Sequence, residues 1–304
     1  MFNFNKSILI KNAKRLLKNT VSIVYGNYFA IYWLFKRKSI YLNKCKRFEK
    51  IVVSLTSFPE RISIVDKTIK SILLQKDVKP DRIELWLSYE QFPSKEESLP
   101  RKLIELKKYG VDICWCEDLK SYKKLIPSLV KNPDSIIVTC DDDVYYSNNW
   151  LKELFDEYKK SPNNVICHKA TKFYFDNNQF KIISGGKDYY PTACFLNKLV
   201  GIGGVLYPPH CLFDDVVNIE LFQSLAPTND DIWFWFMAIL KGTRVKVVSN
   251  NYPKPISIYE HKRSHKLSEI NDNGECLFWE QFNKLIKKYP SVEKKLLEDS
   301  KVLN

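Results

Sequence analysis

Residues 136–146 of this 304-residue chain, Ile-Ile-Val-Thr-Cys-Asp-Asp-Asp-Val-Tyr-Tyr, decide the fold. The segment begins with apolar, mostly β-branched residues that do not alternate with polar ones. Such a run is typical of a parallel strand that is buried on both faces. It then ends directly in three carboxylates, at the place where an open α/β sheet forms its ligand crevice.

The same pattern of apolar runs and helical periods extends through the preceding part of the chain. Strands are predicted at residues 51–55, 83–87, 111–116 and 135–140, and helices at 61–75, 99–109, 122–130 and 150–160. Strand-then-helix units that follow each other at about 24 to 32 residues are what βαβ crossovers produce. The expected fold class is therefore α/β, with a Rossmann-type, mostly parallel open sheet flanked by helices and an N-terminal basic helical extension.

The net charge of +13 comes mainly from the N-terminal segment. Residues 1–50 contain 12 Lys and Arg but one acid, Glu49, whereas the rest of the chain contains 36 basic and 34 acidic residues. A nucleic-acid-binding protein usually carries its basic patch on the folded domain, and the sequence has no zinc-knuckle, helix-turn-helix or RNP-type motif. The sequence therefore predicts no nucleic-acid partner. A hydrophobic content of 45% also excludes a disordered chain.

The basic N-terminal segment, residues 1–48, has two parts. Residues 6–18 have the pattern of a basic amphipathic helix, and residues 21–35 are apolar and aromatic but are interrupted by Ser22, Gly26 and Asn27. A bilayer span needs about 20 apolar residues, which is longer than this run. Two interpretations stay open: an interfacial anchor on an anionic membrane surface, and a pair of helices packed on the protein's own body.

The location is predicted to be cytoplasmic, and whether the protein also associates peripherally with the inner membrane face depends on which of these two interpretations holds. The eight cysteines form no CxxC pair and no zinc-finger spacing, so we expect reduced, structural thiols. No small-residue cleavage site follows the apolar run, which argues against a signal peptide.

The acid triplet Asp141, Asp142 and Asp143 is a candidate metal site. Consecutive buried carboxylates repel each other, and a divalent cation would remove that penalty. Asp141 and Asp143 point the same way on an extended backbone, and their hard oxygen ligands suit Mg²⁺ or Mn²⁺. The alternatives are a cap for the next helix, which residues 147–149 already supply, and a solvated acidic turn.

A second acid pair, Asp230 and Asp231, lies in residues 226–235, Ala-Pro-Thr-Asn-Asp-Asp-Ile-Trp-Phe-Trp. Thr228 and Asp231 have the spacing of a capping box, which accounts for one of the two acids. The aromatic residues that follow are expected either in the core or stacked on a ligand. Residues 201–209, Gly-Ile-Gly-Gly-Val-Leu-Tyr-Pro-Pro, match no phosphate-binding motif and indicate a turn or a close backbone approach.

The strand that ends in Asp-Asp-Asp, after three βα units, resembles the DxD motif of GT-A-fold glycosyltransferases. Residues 54–62, Ser-Leu-Thr-Ser-Phe-Pro-Glu-Arg-Ile, and 119–127, Leu-Lys-Ser-Tyr-Lys-Lys-Leu-Ile-Pro, are similar to bacterial family-2-like glycosyltransferases that build surface polysaccharide. The resemblance covers about residues 50–290. It implies a GT-A-like domain over residues 49–290, with a nucleotide-binding half at about 49–160 and an acceptor half at about 161–290, followed by a C-terminal tail, 291–304.

The resemblance also implies roles for single residues on the donor side. Asp141 and Asp143 would bind Mn²⁺ or Mg²⁺, and Asp142 would face the donor ribose or sugar. The loop from Thr56 to Arg61 would hold the nucleotide base of the donor. Arg61 is expected either to bind phosphate with its guanidinium fork or to be a surface residue at a helix start. Lys123 and Lys124 are expected either to contact the donor phosphate or ribose or to be structural and solvated residues.

On the acceptor side, the resemblance implies Asp231 as the general base, with Asp230 as its rival, and an inverting outcome. His261 is the preferred further metal ligand, and a solvated basic loop is the alternative for its segment. The implied function is metal-dependent transfer of a sugar, of hexosyltransferase type, from a nucleotide-diphosphate sugar such as a UDP-sugar to a saccharide or lipid-linked acceptor. The alternatives are a catalytically inactive membrane-surface binding protein of the same fold and an aspartyl phosphoryl-transfer enzyme.

Overall fold

The structure, a computed structural model, describes residues 6–43, 47–183, 188–249, 256–258 and 275–303. Its strands are β1 Ile51–Thr56, β2 Arg82–Ser88, β3 Val111–Cys116, β4 Ile136–Thr139, β5 Val144–Tyr145, β6 Val165–Cys167, β7 Ala170–Asp176, β8 Gln179–Ile183, β9 Asn197–Leu199, β10 Val205–Tyr207, β11 Val245–Val247 and β12 Ile256–Ser257. Its helices are α1 Lys6–Lys36, α2 Val65–Leu73, α3 Arg101–Ile104, α4 Ile126–Lys131, α5 Trp150–Lys160, α6 Ile219–Leu225, α7 Asp230–Lys241, α8 Glu275–Lys288 and α9 Pro290–Leu303.

Within these ranges, a seven-stranded sheet with the order β11-β6-β10-β4-β1-β2-β3 forms the centre of the protein. β1 pairs in parallel with β2 and β4, β2 with β3, and β6 with β11, whereas β10 is antiparallel to both β4 and β6. The smaller sheets are β8-β7-β9 and β12-β5. The fold-class prediction is confirmed: the protein is mixed α/β, with a mostly parallel central sheet flanked by helices and preceded by an N-terminal helix.

Hydrophobic cores lie on both faces of this sheet, because alternate side chains of a strand point to opposite faces. Val52 and Ile137 pack into one core, and their neighbours Val53 and Val138 pack into the other. Helix α7 lies in the first core, where Trp233 and Trp235 have no exposed surface. The aromatic residues after the second acid pair are therefore core residues and are not surfaces for stacking on a ligand.

The predicted strands match the structure more closely than the predicted helices. The helix expected at residues 61–75 begins only at Val65, after turns in which the Arg61 and Ile62 amides donate to the Phe58 carbonyl oxygen. The helix expected at 122–130 divides into a 3-10 turn, Lys120–Lys124, and α4, because Pro127 lies in the first turn of α4 and lacks an amide proton.

The helix expected at 99–109 likewise divides into α3 and a 3-10 turn, Glu105–Tyr109. Gly110, at φ 89°, ends it in the left-handed region that glycine favours. Residues 291–304, expected as a tail, are helical in α9 up to Leu303, and they bury Val292 and Leu296 in the first core.

The N-terminal segment forms one continuous helix, α1, in place of the two expected parts. Phe29 and Trp33 of α1 pack into the second core, and the rings of Tyr25 and Phe29 contact Tyr145 of β5 with ring centroids 5.3 and 4.9 Å apart. Among the helices of the described residues, none combines the length and apolar character that a bilayer span requires.

Candidate active site

The acid triplet lies where three strands of the central sheet meet. Because β1 and β4 are parallel and Ser54 pairs with Thr139, the residues that follow both strands reach the same edge of the sheet. β10 runs the other way and pairs Val205 with Thr139, so the turn Gly201–Gly203 arrives at this edge just before β10 begins. The carboxyl ends of parallel strands are the usual ligand crevice of such sheets.

Asp142 is the buried anchor of the triplet. Its Oδ2 accepts a hydrogen bond from Ser57 Oγ at 2.6 Å, and its Oδ1 accepts one from Arg61 Nη1 at 2.8 Å. Burial raises the pKa of Asp142, while the Arg61 charge opposes this shift. Arg61 Nη1 also lies 3.3 Å from Asp143 Oδ2, so one guanidinium group holds two acids of the triplet.

Asp141 faces the second acid pair across Lys124. Lys124 Nζ lies 2.8 Å from Asp230 Oδ2, 3.5 Å from Asp141 Oδ1 and 3.8 Å from Asp231 Oδ1. Burial alone would lower the pKa of Lys124, but the charges of Asp230, Asp141 and Asp231 outweigh it and raise the pKa well above its ordinary value. The ammonium group therefore stays charged and joins the two acid clusters into one site.

Ionisation of the Asp141 carboxyl is unfavourable, and the charge of Lys124 offsets this only in part. Burial raises its pKa to about 6, and the neighbouring charges of Asp143, Asp231 and Asp230 add to the shift while Lys124 opposes it. The carboxylates of this site thus outnumber the cations that contact them, which makes it a region of negative potential in the protein as it stands.

Asp231 is oriented by the backbone of the glycine turn. The Gly201 amide donates to Asp231 Oδ2 at 3.0 Å, and a Cβ at position 201 would lie 2.8 Å from Lys124 Nζ and 2.9 Å from Asp231 Oδ1. A side chain at position 201 would therefore displace the Lys124 ammonium group or the Asp231 carboxylate, and glycine avoids this displacement. Burial, followed by the charge of Asp230, raises the pKa of Asp231, while Lys124 opposes the shift.

The two acids of this pair occupy the first turn of α7, where carboxylates are favoured. The expected cap is wrong: the side chain of Asn229, and not of Thr228, accepts the hydrogen bond from the Ile232 amide at 3.1 Å. Thr228 Oγ1 instead accepts one from Gln281 Nε2 at 3.0 Å. Neither Asp230 nor Asp231 is needed as the cap, so the capping argument does not account for them.

The carboxylates fit one kind of cation site. Asp141 and Asp143 offer hard oxygen ligands, and a divalent cation would relieve the unfavourable ionisation of Asp141. Within the described residues, however, no group of three or more His, Cys, Asp or Glu side chains is arranged to hold a metal ion. This donor set fits Mg²⁺ or Mn²⁺ held by one or two carboxylates together with waters and substrate phosphates, and it does not form an all-protein cage.

The structure brings together seven of the residues singled out from the sequence: Arg61, Lys124, Asp141, Asp142, Asp143, Asp230 and Asp231. Two others have different partners. The Thr56 hydroxyl donates to the Trp86 carbonyl oxygen of β2 at 2.8 Å, and the buried Lys123 ammonium pairs with Asp118. His261 and its segment lie outside the described residues.

Sequence reasoning missed three groups that shape this site. Ser57 donates to Asp142, the Gly201 amide donates to Asp231, and the Tyr146 hydroxyl accepts from the Asp141 amide at 3.0 Å and donates to the Ile202 carbonyl oxygen at 3.1 Å. Tyr146 thereby joins the triplet to the glycine turn. The position of Ser57 directly after a buried strand was a usable signal, whereas the bonds of Gly201 and Tyr146 depend on the antiparallel strand β10.

Comparisons with known proteins give a distant structural likeness. No protein-family model matches the sequence, and no curated protein sequence matches it. Among solved structures, the chain is similar to the crystal structure of S. aureus TarS 1–349, with a TM-score of 0.46 and 16% sequence identity. The match covers 66% of this chain and 58% of that chain, so it spans little more than half of the TarS structure. A likeness of this extent identifies no family.

Proposed function

We propose that this protein is a glycosyltransferase that moves a sugar from a nucleotide-diphosphate sugar to a saccharide or lipid-linked acceptor in the synthesis of bacterial surface polysaccharide. The observation that carries the proposal is the convergence of the acid triplet at residues 141–143 and the acid pair at 230–231 on Lys124. The convergence lies at the carboxyl edge of a parallel α/β sheet, where ligands of such folds bind. Acids from two distant segments are what donor binding and acceptor activation would require on opposite sides of one reaction centre.

On the donor side, Arg61 is the group suited to a diphosphate. Its guanidinium group already spans two carboxylates, Asp142 and Asp143, and it can present further donors to phosphate oxygens in a planar fork. Asp141 and Asp143 would hold Mn²⁺ or Mg²⁺. When bound, the cation supplies charge stabilisation for the departing diphosphate. Asp142, anchored by Ser57, keeps the loop after β1 in register with the triplet.

On the acceptor side, we assign Asp231 as the general base of an inverting transfer. Burial raises its pKa, which strengthens a carboxylate as a proton acceptor near neutral pH. Its side chain is 21% exposed, but Oδ1 is buried, so the exposed surface belongs to its other atoms. We assign Oδ2, which accepts from the Gly201 amide, as the oxygen that an acceptor hydroxyl approaches.

Asp230 has a different role in this proposal. It forms the closest ion pair with Lys124, at 2.8 Å, and its side chain is 10% exposed. A carboxylate held this tightly by a buried ammonium group is poorly placed to accept a proton. Asp230 therefore holds Lys124 between the two acid clusters and is a positioning residue.

The test is a thermal-shift panel of nucleoside diphosphates and their sugars, with and without Mn²⁺. The wild type should be stabilised by one nucleotide family in a metal-dependent manner, because a ligand that binds the native state raises the melting temperature. Asp143→Ala should lose this stabilisation. Asp214→Ala serves as the matched control, since Asp214 is a 94% exposed acid outside the site.

The outcome that contradicts the proposal is equally clear. If no nucleotide stabilises the wild type in the presence of Mn²⁺ or Mg²⁺, the donor site does not exist. Equal stabilisation of the wild type and Asp143→Ala would place the nucleotide elsewhere. For the base, Asp231→Asn should abolish transfer of sugar while it keeps the thermal shift by the donor nucleotide.

A further inference from the structure

Helix α1 is asymmetric in its contacts with the rest of the protein. One face is packed: Phe29 and Trp33 are buried in the second core, and Ser22 Oγ donates to the Ser257 carbonyl oxygen at 2.6 Å. At ~100° per residue, these three positions fall within roughly 40° of one another around the helix axis. The packed face is thus narrow, and it fixes the direction in which the remainder of the helix points.

The opposite face of α1 is open and mostly apolar, with Thr20 and Asn27 as exposed polar residues within it. At ~100° per residue, its centre lies roughly 180° from the packed face. Nine of the 18 exposed large hydrophobic side chains in the described part of the chain belong to it: Leu16, Leu17, Val21, Ile23, Val24, Tyr28, Ile31, Leu34 and Phe35. Such a concentration on one helix marks a surface for interaction, because scattered single residues are the ordinary case.

The positive charge of the segment that contains this face selects the partner. Residues 1–48 contain no acidic residue, and they carry 11 of the 12 Lys and Arg residues found before residue 51. Arg37 and Lys38 of the 3-10 turn Arg37–Ser39 that follows α1 are exposed. Lys18 and Lys36 are exposed as well, on the side of α1 nearer the packed face. A partner for this surface must therefore offer an apolar layer and negative charge together. An anionic lipid bilayer has both, with acyl chains below a charged headgroup layer.

A second copy of the chain and a membrane-spanning arrangement both fit α1 less well. A second copy of the chain would bring the same excess of positive charge against itself, and like charges across an interface oppose association. A membrane-spanning role does not fit either, since α1 is not apolar enough to span a bilayer. A helix about 46 Å long, 31 residues at ~1.5 Å each, can instead lie in the plane of the interface along its length.

We propose that the open face of α1, defined by the nine side chains above, binds an anionic membrane surface with the helix lying in the plane of the interface. The aromatic residues Tyr28 and Phe35 suit the headgroup zone, and Arg37 and Lys38, just beyond the end of α1, meet anionic lipid. The packed face keeps the helix attached to the folded body, so the whole protein is held at the membrane. This inference rests on contacts and charge, and it is independent of the proposed transfer chemistry.

The test is flotation of the full chain with two kinds of vesicle, pure phosphatidylcholine and an equimolar mixture of phosphatidylcholine and phosphatidylglycerol. The wild type should float with the anionic vesicles, weakly with the neutral ones, and less at high salt. The triple variant Leu17→Gln/Val24→Gln/Ile31→Gln removes three apolar contacts from one stripe of the open face. Its partition coefficient should fall at least about tenfold.

A matched control removes apolar surface elsewhere. Val130, Val217 and Val302 lie outside α1 and expose 40–82% of their surface, against 57–65% for the three residues changed on α1. Val130→Gln/Val217→Gln/Val302→Gln should float like the wild type. A second variant, Lys36→Glu/Arg37→Glu/Lys38→Glu, changes charge without touching the apolar face and should lose binding to the anionic vesicles. Thermal unfolding of each variant verifies that it is folded.

Three results would overturn the inference. The first is a wild type that does not float with anionic vesicles. The second is an α1 triple variant that floats as well as the wild type. The third is a wild-type dimer in sedimentation that the α1 triple variant loses, while neither protein binds vesicles. The last result would assign the open face to a second copy of the chain.

Discussion

Replacing Asp141 by Asn should stabilise the folded protein at neutral and alkaline pH, although Asp141 belongs to the candidate site. The reason is the environment of its carboxyl group, which is buried beside Asp143, Asp231 and Asp230 and has its pKa raised to about 6. A raised carboxyl pKa means that the folded state disfavours the charged form more than the unfolded state does. Asn resembles the neutral form in size and removes the charge.

The size of the effect follows from the two pKa values. Raising the pKa from 3.8 to about 6 corresponds to about 3 kcal/mol between the charged and neutral forms. The side chain is 31% exposed, so solvent screening reduces the expected gain to about 2 kcal/mol. For a chain of 304 residues, that is roughly a 3 °C rise in melting temperature.

The dependence on pH has a definite sign. Below pH 3.8 the Asp141 carboxyl is protonated in both the folded and the unfolded state, so wild type and Asp141→Asn should differ little in this term. As the pH rises through about 6, the wild type loses the stability that the neutral form contributed, and the variant does not. The difference in melting temperature should therefore open between pH 4 and pH 7 and stay constant above it.

The assay is thermal unfolding of both proteins across this pH range without added metal ion. Asp118→Asn provides a control of opposite sign. Burial opposes the ionisation of Asp118, but its hydrogen bond to Lys123 and the Lys123 charge outweigh burial and lower its pKa. That variant should be less stable than the wild type at every pH above about 5, and the deficit should disappear only as the pH falls below 3.8. If Asp141→Asn is no more stable than the wild type at pH 8, or if its gain is equally large at pH 4, the electrostatic description of the site is wrong.

Two further predictions concern the acid pair and the glycine turn. Asp230→Asn removes a negative charge next to Asp231 and leaves Lys124 less neutralised, so the pKa of Asp231 should fall. The acidic limb of the pH–activity profile should then move to lower pH. A limb that stays in place would exclude Asp231 as the general base. Gly204→Ala should cost about 3 kcal/mol or more in the free energy of unfolding, because position 204 has φ 92° and a Cβ there would lie 2.5 Å from the Trp150 ring. Gly242→Ala, at φ 88° with no atom within 4 Å, should cost only about 1 kcal/mol, and denaturant unfolding that shows equal losses would contradict this contrast.

The fold was predictable where hydrophobic pattern alone determines structure. Strands β1, β2 and β4 are buried along nearly all of their length, and β3 at the sheet edge is half-buried. The predicted bounds of all four strands lie within one residue of those observed. The helices were less predictable, because two of them divide into α-helical and 3-10 pieces, one of the two divisions lying beside Pro127. β10 is three residues long and antiparallel in an otherwise parallel neighbourhood, which no local period reveals.

The candidate site was predictable in its residue types but not in its pairing. The sequence alone identified the triplet, from its position at a strand end, and the second acid pair as candidate site residues. That Lys124 joins them depends on a 3-10 turn, residues 120–124, facing the start of α7, and these segments are more than 100 residues apart. Lys123 illustrates the same limit: it is adjacent in sequence, yet its ammonium group turns to Asp118.

The segment that follows the triplet links the two proposals physically. Asp141 to Asp143 are followed directly by β5. Tyr145 of β5 packs against Tyr25 and Phe29 of α1. The Ile258 amide, next to the β12 strand that also holds α1, donates to the Asp143 carbonyl oxygen at 2.7 Å. The backbone of the acid triplet is therefore braced by the same short sheet on which the proposed membrane helix rests. If α1 lies in the interface, this sheet connects the backbone of the candidate site to the membrane-bound helix.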